Sequence, residues 1–338
     1  MTPLVSVIVL NYNGRRWLAP CLTALAGQIG APAFEILLAD NGSHDGSVAL
    51  AREMFPSVRV IDHRRNLGFA EGNNRAAREA RSPVLAFLNN DTVPDPHWLA
   101  ALYAAHARAA PHTIVTSRIV FLDRPEVVDS AGDGYLRAGG AYKRGHGQPA
   151  GDFLQSQEVF GACGAAFMVS REFFERLGGF DERFFMVYED VDLSYRARLA
   201  GGACFYVADA IVRHAGSGTL GLASDAAVFH GQRNLEWTWI KNTPLRLLLA
   251  SLPSHVAYSL AGVAHYVAAG RGSAAVRGKL AALAGLPRVL RQRWAVQRSR
   301  SAPNSAIARV TDAGWFERKR REKSARLDLP NHQDGRVS

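Results

Sequence analysis

Four acidic or polar stations stand along the chain where side chains can do chemistry: Asp40 in LLADNGS, Asp91 in FLNNDT, Glu189-Asp190 in FMVYEDVDL and His214 in VRHAGSGT. Three of them end apolar runs of strand type, and open α/β sheets gather ligand groups at such carboxyl ends. Asp40 closes a run of aliphatics before Asn-Gly-Ser, so its carboxylate would project into the crevice at the sheet edge, although a turn-forming role explains the same residues. Tyr12 ends the first apolar run, in LNYNG. An aromatic ring beside a carboxylate suits a pyrimidine base, which stacks on the ring while Asp40 accepts a hydrogen bond from its N3–H.

The same strand lacks the glycine spacing with which a dinucleotide-binding turn cradles pyrophosphate, and the chain has no P-loop. A bound diphosphate would therefore need a divalent cation held by oxygen ligands. Asn89, Asn90 and Asp91 follow an apolar strand and can hold Mg²⁺ or Mn²⁺; Asn-Asn-Asp is also ordinary turn chemistry. His214 would add a nitrogen ligand from across the cleft, where the plainer alternative is a packed or solvated histidine. Glu189 and Asp190 open the run DLSYRARLAG, near amide N–H groups and a positive dipole end. Helix capping accounts for one acid but not for two adjacent ones plus Asp192, so Asp190 is assigned as a catalytic base and Glu189 as a group that orients it or contacts an acceptor. Arg196 pairs within that helix or faces a phosphate.

The elements that must hold these groups alternate. VSVIVL, FEILLAD, VRVID and VLAFLN read as strands, separated by helices from near Arg16, through Val48, Ala51 and Met54, and over EGNNRAAREA. Asp95 and Pro96 fit the N-cap and first turn of a further helix through Trp98, Leu99, Leu102 and Tyr103. Such βα alternation predicts a right-handed, doubly wound, mostly parallel sheet flanked by helices. From Asp129 to Gly151 the residues turn to glycine, arginine, lysine and tyrosine without periodicity, which predicts a mobile loop, a surface excursion or a lid over substrate. GACGAAFMV then returns to strand, FFERLG gives a short helix, Asp190 to Ala200 another, closed by Gly201-Gly202, and FYVAD and IVRH complete the core.

The formal charge of +10 suits nucleic acid, an anionic membrane or a phosphorylated substrate alike, but no basic-helix, zinc or aromatic-platform motif supports nucleic acid. The arginines crowd towards the C-terminus, Arg288 to Arg300 and Arg318 to Arg321. Cys21, Cys163 and Cys204 lack paired spacing, which points to a reducing compartment rather than disulfides or zinc. The N-terminal apolar run has no basic flank or cleavage site and reads as a buried strand. After Asn242-Thr243-Pro244 the chain is apolar yet broken by Arg246, Pro253, His255 and His265, favouring packed or interfacial helices over a membrane span.

The order PLVSVIVLNYNG, LLADNGSHDGS, NLGFAEGNN, FLNNDT, GGFDERFFMVYEDVDLSYR and VRHAGSGT resembles the family 2 inverting glycosyltransferases of GT-A fold, in particular the bacterial rhamnosyltransferase-like branch, over residues 3 to 245. That resemblance implies a metal-dependent enzyme moving a sugar from a nucleoside-diphosphate donor, in this branch dTDP-rhamnose, to a lipid-linked or polysaccharide acceptor of the cell envelope. Asn11, Tyr12, Asp40, Asn66 and Asn90 would then bind nucleotide, Asp91 and His214 the Mg²⁺ or Mn²⁺, and Gly179, Phe180 and Asp181 would lie on the acceptor side. Many relatives carry Asp-x-Asp where this chain has Asn89-Asn90-Asp91, so Asn89 replaces one carboxylate. A non-catalytic nucleotide- or carbohydrate-binding protein is the alternative. The expected organisation is a catalytic domain over 1–243, a basic helical extension over 244–321 that attaches the chain to the cytoplasmic face of the plasma membrane, and a flexible tail over 322–338.

Overall fold

The computed structural model describes residues 2–216 and 224–316. The expected tail, the basic run from Arg318 and the last residues of VRHAGSGT lie outside the described residues. The first half alternates as its apolar runs demand: β1 (Val5–Asn11), α1 (Arg15–Ala26), β2 (Phe34–Asp40), α2 (Ser47–Met54), β3 (Arg59–Asp62), α3 (Gly68–Glu79) and β4 (Val84–Asn89). These strands lie parallel in the order β3-β2-β1-β4. Successive strand residues point to opposite faces. Val5, Val7 and Val9 of β1 therefore pack with Leu18, Leu22 and Trp98, while Ile8 packs on the other face with Phe87, Phe167 and Phe174. A core on both faces explains why β1, β2 and β4 are continuous hydrophobic runs rather than alternating ones.

Next come β5 (Thr92–Pro94), α4 (Trp98–Arg108) and β6 (Thr113–Phe121). Helix α4 starts two residues later than the Asp95-Pro96 signal predicts. The Asp95 carboxylate leaves the cap to pair with Arg213 at 3.0 Å, and the backbone carbonyl of Asp95 accepts from the Trp98 amide.

The segment expected to be a mobile loop is a paired β-arm, a correction to the sequence reading. It holds β7 (Val128–Ser130), β8 (Asp133–Tyr135) and β9 (Ala141–Lys143), with β7 on β6 and β8 antiparallel to β9. Its backbone groups are taken up by reciprocal bonds such as Ala131 N–H to Arg144 O and Arg144 N–H to Gly132 O. Buried backbone groups must be paired, so the arm is ordered despite its glycines.

After β10 (Gln157–Val159), the strand β11 (Ala166–Ser170) runs antiparallel between β4 and β6, a reversal that periodicity could not show. Helices α5 (Arg171–Arg176) and α6 (Glu189–Leu199) lead to β12 (Ala203–His214), a single long strand, bulged between Val207 and Ile211, that contains both FYVAD and IVRH. The chain then turns wholly helical with α7 (Asp225–Asn242), α8 (Leu245–Ala268), α9 (Gly272–Ala284), α10 (Leu286–Arg298) and α11 (Asn304–Val310). The sheet order β10-β12-β6-β11-β4-β1-β2-β3 brings the ends of β1, β4 and β12 to one edge.

Candidate active site

A cavity of about 510 Å³ opens at that edge, lined by Tyr12, Asn66, Asn89, Asn90, Asp91, Asp190 and His214 among others. His214 ends β12 directly opposite Thr92 of β5, so sheet pairing itself brings the histidine beside Asp91. Its Nε2 lies 3.3 Å from Asp91 Oδ1, and its Nδ1 lies 2.8 Å from Asp129 Oδ2. Asp129 comes from β7 and is 1% exposed. Burial opposes its charge, but hydrogen bonds from His146 and His214 and the Lys143 ammonium, 2.8 Å from both its oxygens, hold it far below the usual carboxylate range. Burial alone would lower the His214 pKa; the two flanking carboxylates outweigh it and raise it to about 9. With Nδ1–H committed to Asp129, the Nε2 lone pair of the neutral ring points at Asp91, the arrangement in which a carboxylate orients a metal-binding histidine.

Asp190 stands in the first turn of α6, its Oδ2 accepting from the Gly164 amide at 2.7 Å and its Oδ1 from the Val191 amide at 2.8 Å. A Cβ on Gly164 would come within 2.9 Å of that Oδ2, so the close approach requires glycine. Burial pushes the Asp190 carboxyl up against the pull of these amides. Glu189 is buried beside it with Oε2 unpartnered, and burial together with Asp190 raises it well above the ordinary range. Asp133 of β8 lines the same cavity, close enough that its carboxylate, the Asp190 carboxylate and the Cys163 thiol lie within 4.8 Å of one another. Burial and the neighbouring Asp190 push Asp133 up strongly.

The segment before these acids is strained. Phe185, Val187 and Tyr188 have φ of 63°, 65° and 76°, conformations that cost bulky residues on the order of 1–3 kcal/mol each. The fully buried Asn234 of α7 holds them, its Nδ2 donating to the carbonyls of Phe184, Met186 and Val187 at 3.0, 2.9 and 2.7 Å. Replacing this clamp in Asn234→Ala should lower Tm and cut kcat about 10²-fold with little change in nucleotide affinity, since a misplacement of about 1 Å has that cost. A variant that keeps full kcat would show that α7 does not position the acids.

Five of the sequence-assigned residues do not line this cavity. Asp40 does not line the cavity: Oδ1 accepts from Asn11 Nδ2 and Ser43 Oγ, and Oδ2 from the Gly42 and Ser43 amides, which fills the acceptor capacity of a carboxylate. It organises the turn, and Asn41 faces the cavity in its place. Asn11 lies behind the wall as well, accepting from Asn90 Nδ2 at 2.8 Å. Gly179, Phe180 and Asp181 line a different cavity, of about 670 Å³. The Phe180 ring is pinned in the core edge-on to Phe87, and Asp181 pairs with Lys241 at 2.8 Å. Arg196 takes the first of its two alternatives and pairs within α6, with Asp192 at 2.8 Å, while also donating to the carbonyls of Leu177 and Gly179. Tyr12, Asn66, Asn90, Asp91, Glu189, Asp190 and His214 do come together. Asp129, Asp133 and Lys143 went unassigned in the sequence, where the apolar pair Val127-Val128 before Asp129 was the only sign of another strand-end acid.

The profile of the family described as Glycosyl transferase family 2 matches residues 6–178, just over half of the chain. The N-acetylglucosaminyl-diphospho-decaprenol L-rhamnosyltransferase of Mycobacterium tuberculosis is 29% identical over 242 residues, covering 63% of this chain and 76% of that protein. The O-antigen biosynthesis protein RfbC of Myxococcus xanthus is 32% identical over 216 residues, 59% of this chain but only 16% of its own length. Among solved structures, GalNAc-T7 with UDP, GalNAc and Mn²⁺ superposes with a TM-score of 0.56 at 17% identity, over 70% of this chain and 47% of that one. The mannosyltransferase PcManGT from Pyrobaculum calidifontis, in complex with GDP-Man and Mn²⁺, gives 0.51 at 19% identity over 92% and 87%. At such identities these two share the fold.

Proposed function

Because the chain belongs to glycosyl transferase family 2 and is a glycosyltransferase of GT-A fold, we propose that it moves one sugar from a nucleoside-diphosphate donor to an acceptor hydroxyl by a single inverting displacement. The observation that carries this is the meeting, in one cavity, of a histidine–carboxylate pair and a helix-N-terminal carboxylate whose basicity is raised by burial. Asp190 takes the proton of the acceptor hydroxyl as its oxygen bonds to the anomeric carbon, and the sugar–phosphate bond breaks with its electron pair going to the diphosphate. A single base of this kind gives inversion, by analogy with inverting glycoside hydrolysis. Glu189 orients the base or the acceptor.

The donor set fits a hard divalent cation. Asp91 offers a carboxylate oxygen, His214 a nitrogen whose tautomer is held by Asp129, and Asn89 a neutral oxygen at the cavity wall. Bound there, Mg²⁺ or Mn²⁺ would supply charge neutralisation to the diphosphate leaving group. Both structural neighbours were solved with Mn²⁺, which supports the same requirement here. Tyr12, Asn66 and Asn90 would hold the nucleotide. The mycobacterial relative's rhamnosyl transfer to a decaprenyl-diphosphate-linked sugar favours dTDP-rhamnose as donor and a polyprenyl-linked or polysaccharide acceptor, met at the inner face of the plasma membrane.

The test is calorimetric titration of thymidine, uridine, guanosine and cytidine diphosphates with Mg²⁺, with Mn²⁺ and with chelator, followed by turnover of the matching nucleotide sugar. Metal-dependent binding of dTDP is the expected result. Absence of binding to every nucleotide would defeat the reading and leave a non-catalytic protein.

A further inference from the structure

The helices after Asn242 carry an apolar stripe that the other described residues leave uncovered. Of the 24 residues of α8, only Ser251 and His255 are buried. Leu245, Leu249, Leu252, Val256, Leu260 and Val267 are all exposed, and at 100° per residue they fall within about 80° of the helix circumference. Helix α9, packed beside α8, adds exposed Val276, Leu280 and Leu283 at the same kind of spacing. A contiguous exposed apolar face of this kind marks an interaction surface.

Charge selects the partner. Between Glu236 and Asp312 there is no acidic residue, while eleven lysines and arginines stand there, so this stretch alone outweighs the net +10 of the whole chain. Arg246 on α8, Arg277 on α9 and Arg288 and Arg291 on α10 are exposed, and none is ion-paired to another described residue. Two copies of the chain meeting through this face would bring like charges together. An anionic surface gains from each cation, by on the order of 1 kcal/mol near a membrane.

The other side of α8 excludes a membrane span. His255 bridges Ala138 O at 2.9 Å and Glu236 Oε2 at 2.8 Å and stacks on Trp239 with ring centroids 3.6 Å apart. Ser259 donates to Glu236, and Lys279 of α9 pairs with the same carboxylate. A spanning α8 would have to break this network or carry it into hydrocarbon, where unpaired polar and charged groups are costly.

We infer that the leucine stripe of α8 and α9, flanked by these arginines, seats the protein in the plane of an anionic bilayer without crossing it. The docking stands independently of catalysis; only its purpose, meeting a lipid-linked acceptor, rests on the function proposed above.

Flotation of the full chain with vesicles of phosphatidylcholine alone, or of phosphatidylcholine mixed with phosphatidylglycerol, tests it. The protein should float with the anionic vesicles and much less with the neutral ones, and salt should weaken binding by screening. The double variant Leu249→Glu, Leu260→Glu should lose about tenfold or more in partitioning, since each leucine inserts about 1 kcal/mol or more of apolar surface. Its nucleotide binding by calorimetry should be unchanged, which separates failure of docking from failure of the glycosyltransfer reading. Arg288→Glu with Arg291→Glu should lower binding to anionic vesicles selectively. Undiminished flotation of the leucine variant would overturn the inference. So would a concentration-dependent dimer in analytical ultracentrifugation that the leucine variant abolishes, or resistance of the cell-membrane-bound protein to alkaline carbonate extraction.

Discussion

Asp190→Asn should abolish glycosyl transfer, lowering kcat by about 10³-fold, the middle of the range that a general base contributes. The asparagine fills the same volume and still accepts from one of the Gly164 and Val191 amides, so the α6 turn should persist. Donor binding, which depends on the other end of the cavity, should move little. Stability should hold or rise. A carboxyl raised by burial binds its proton more tightly folded than unfolded, so its ionisation costs stability as pH climbs from the ordinary value of 3.8 through the raised folded pKa. The asparagine removes that cost, and its Tm near neutral pH should match or exceed the parent's. The same sign predicts that kcat falls on acidification as the base is protonated. Asp133→Asn is the control: burial and then the neighbouring Asp190 push its carboxyl up strongly and so favour its neutral form, and replacing it with a neutral amide should cost less than about tenfold. If the two variants exchange these outcomes, Asp133 is the base.

The residues legible in advance are those whose role follows from the strand they end. β1, β2 and β4 are long, buried on both faces and parallel, so each is an unbroken apolar run with a polar group at its carboxyl end, and Asp91 is found by position alone, whereas Asp190 ends no strand and opens α6. Asp40 has the same signature, yet its carboxylate is turned to its own loop. Whether a strand-end carboxylate faces the ligand or its own turn depends on where four nearby donors point, which residue types do not encode. Asp181 lies off the cavity for a related reason, since the ring of Phe180 beside it is buried and its own carboxylate pairs with Lys241.

The β7–β9 arm was illegible because its strands are three residues long, too short for a period-2 pattern, and its glycines mimic a loop. Yet that arm delivers Asp129 to a histidine 85 residues further along. No local window contains such a contact. The positive φ of Val187 is similarly invisible in sequence, because a β-branched residue there persists only when distant groups, here Asn234, over-determine it.

That distant carboxylate sets up the second large effect. In the metal-free protein His214 is held as an imidazolium between Asp129 and Asp91 with a pKa of about 9, so near neutral pH a cation can reach Nε2 only by displacing a proton. Metal-dependent nucleotide binding should therefore release about one proton, and its affinity should climb about tenfold per pH unit until it levels near pH 9. Calorimetry in two buffers of different ionisation enthalpy reads that proton directly. Asp91→Ala should remove the metal dependence of nucleotide binding altogether. His214→Ala should bind metal weakly and release no proton, while Asp129→Asn should lose about 10- to 100-fold in metal affinity, as expected when the orienting partner of a ligating histidine is weakened. Without metal, the raised histidine pKa stabilises the fold fully below about pH 6.5, and that stabilisation is lost as pH rises through about 9, so chelated protein should melt at progressively lower temperature across that window. Proton release that persists in His214→Ala would place the titrating group, and with it the cation, elsewhere in the cavity.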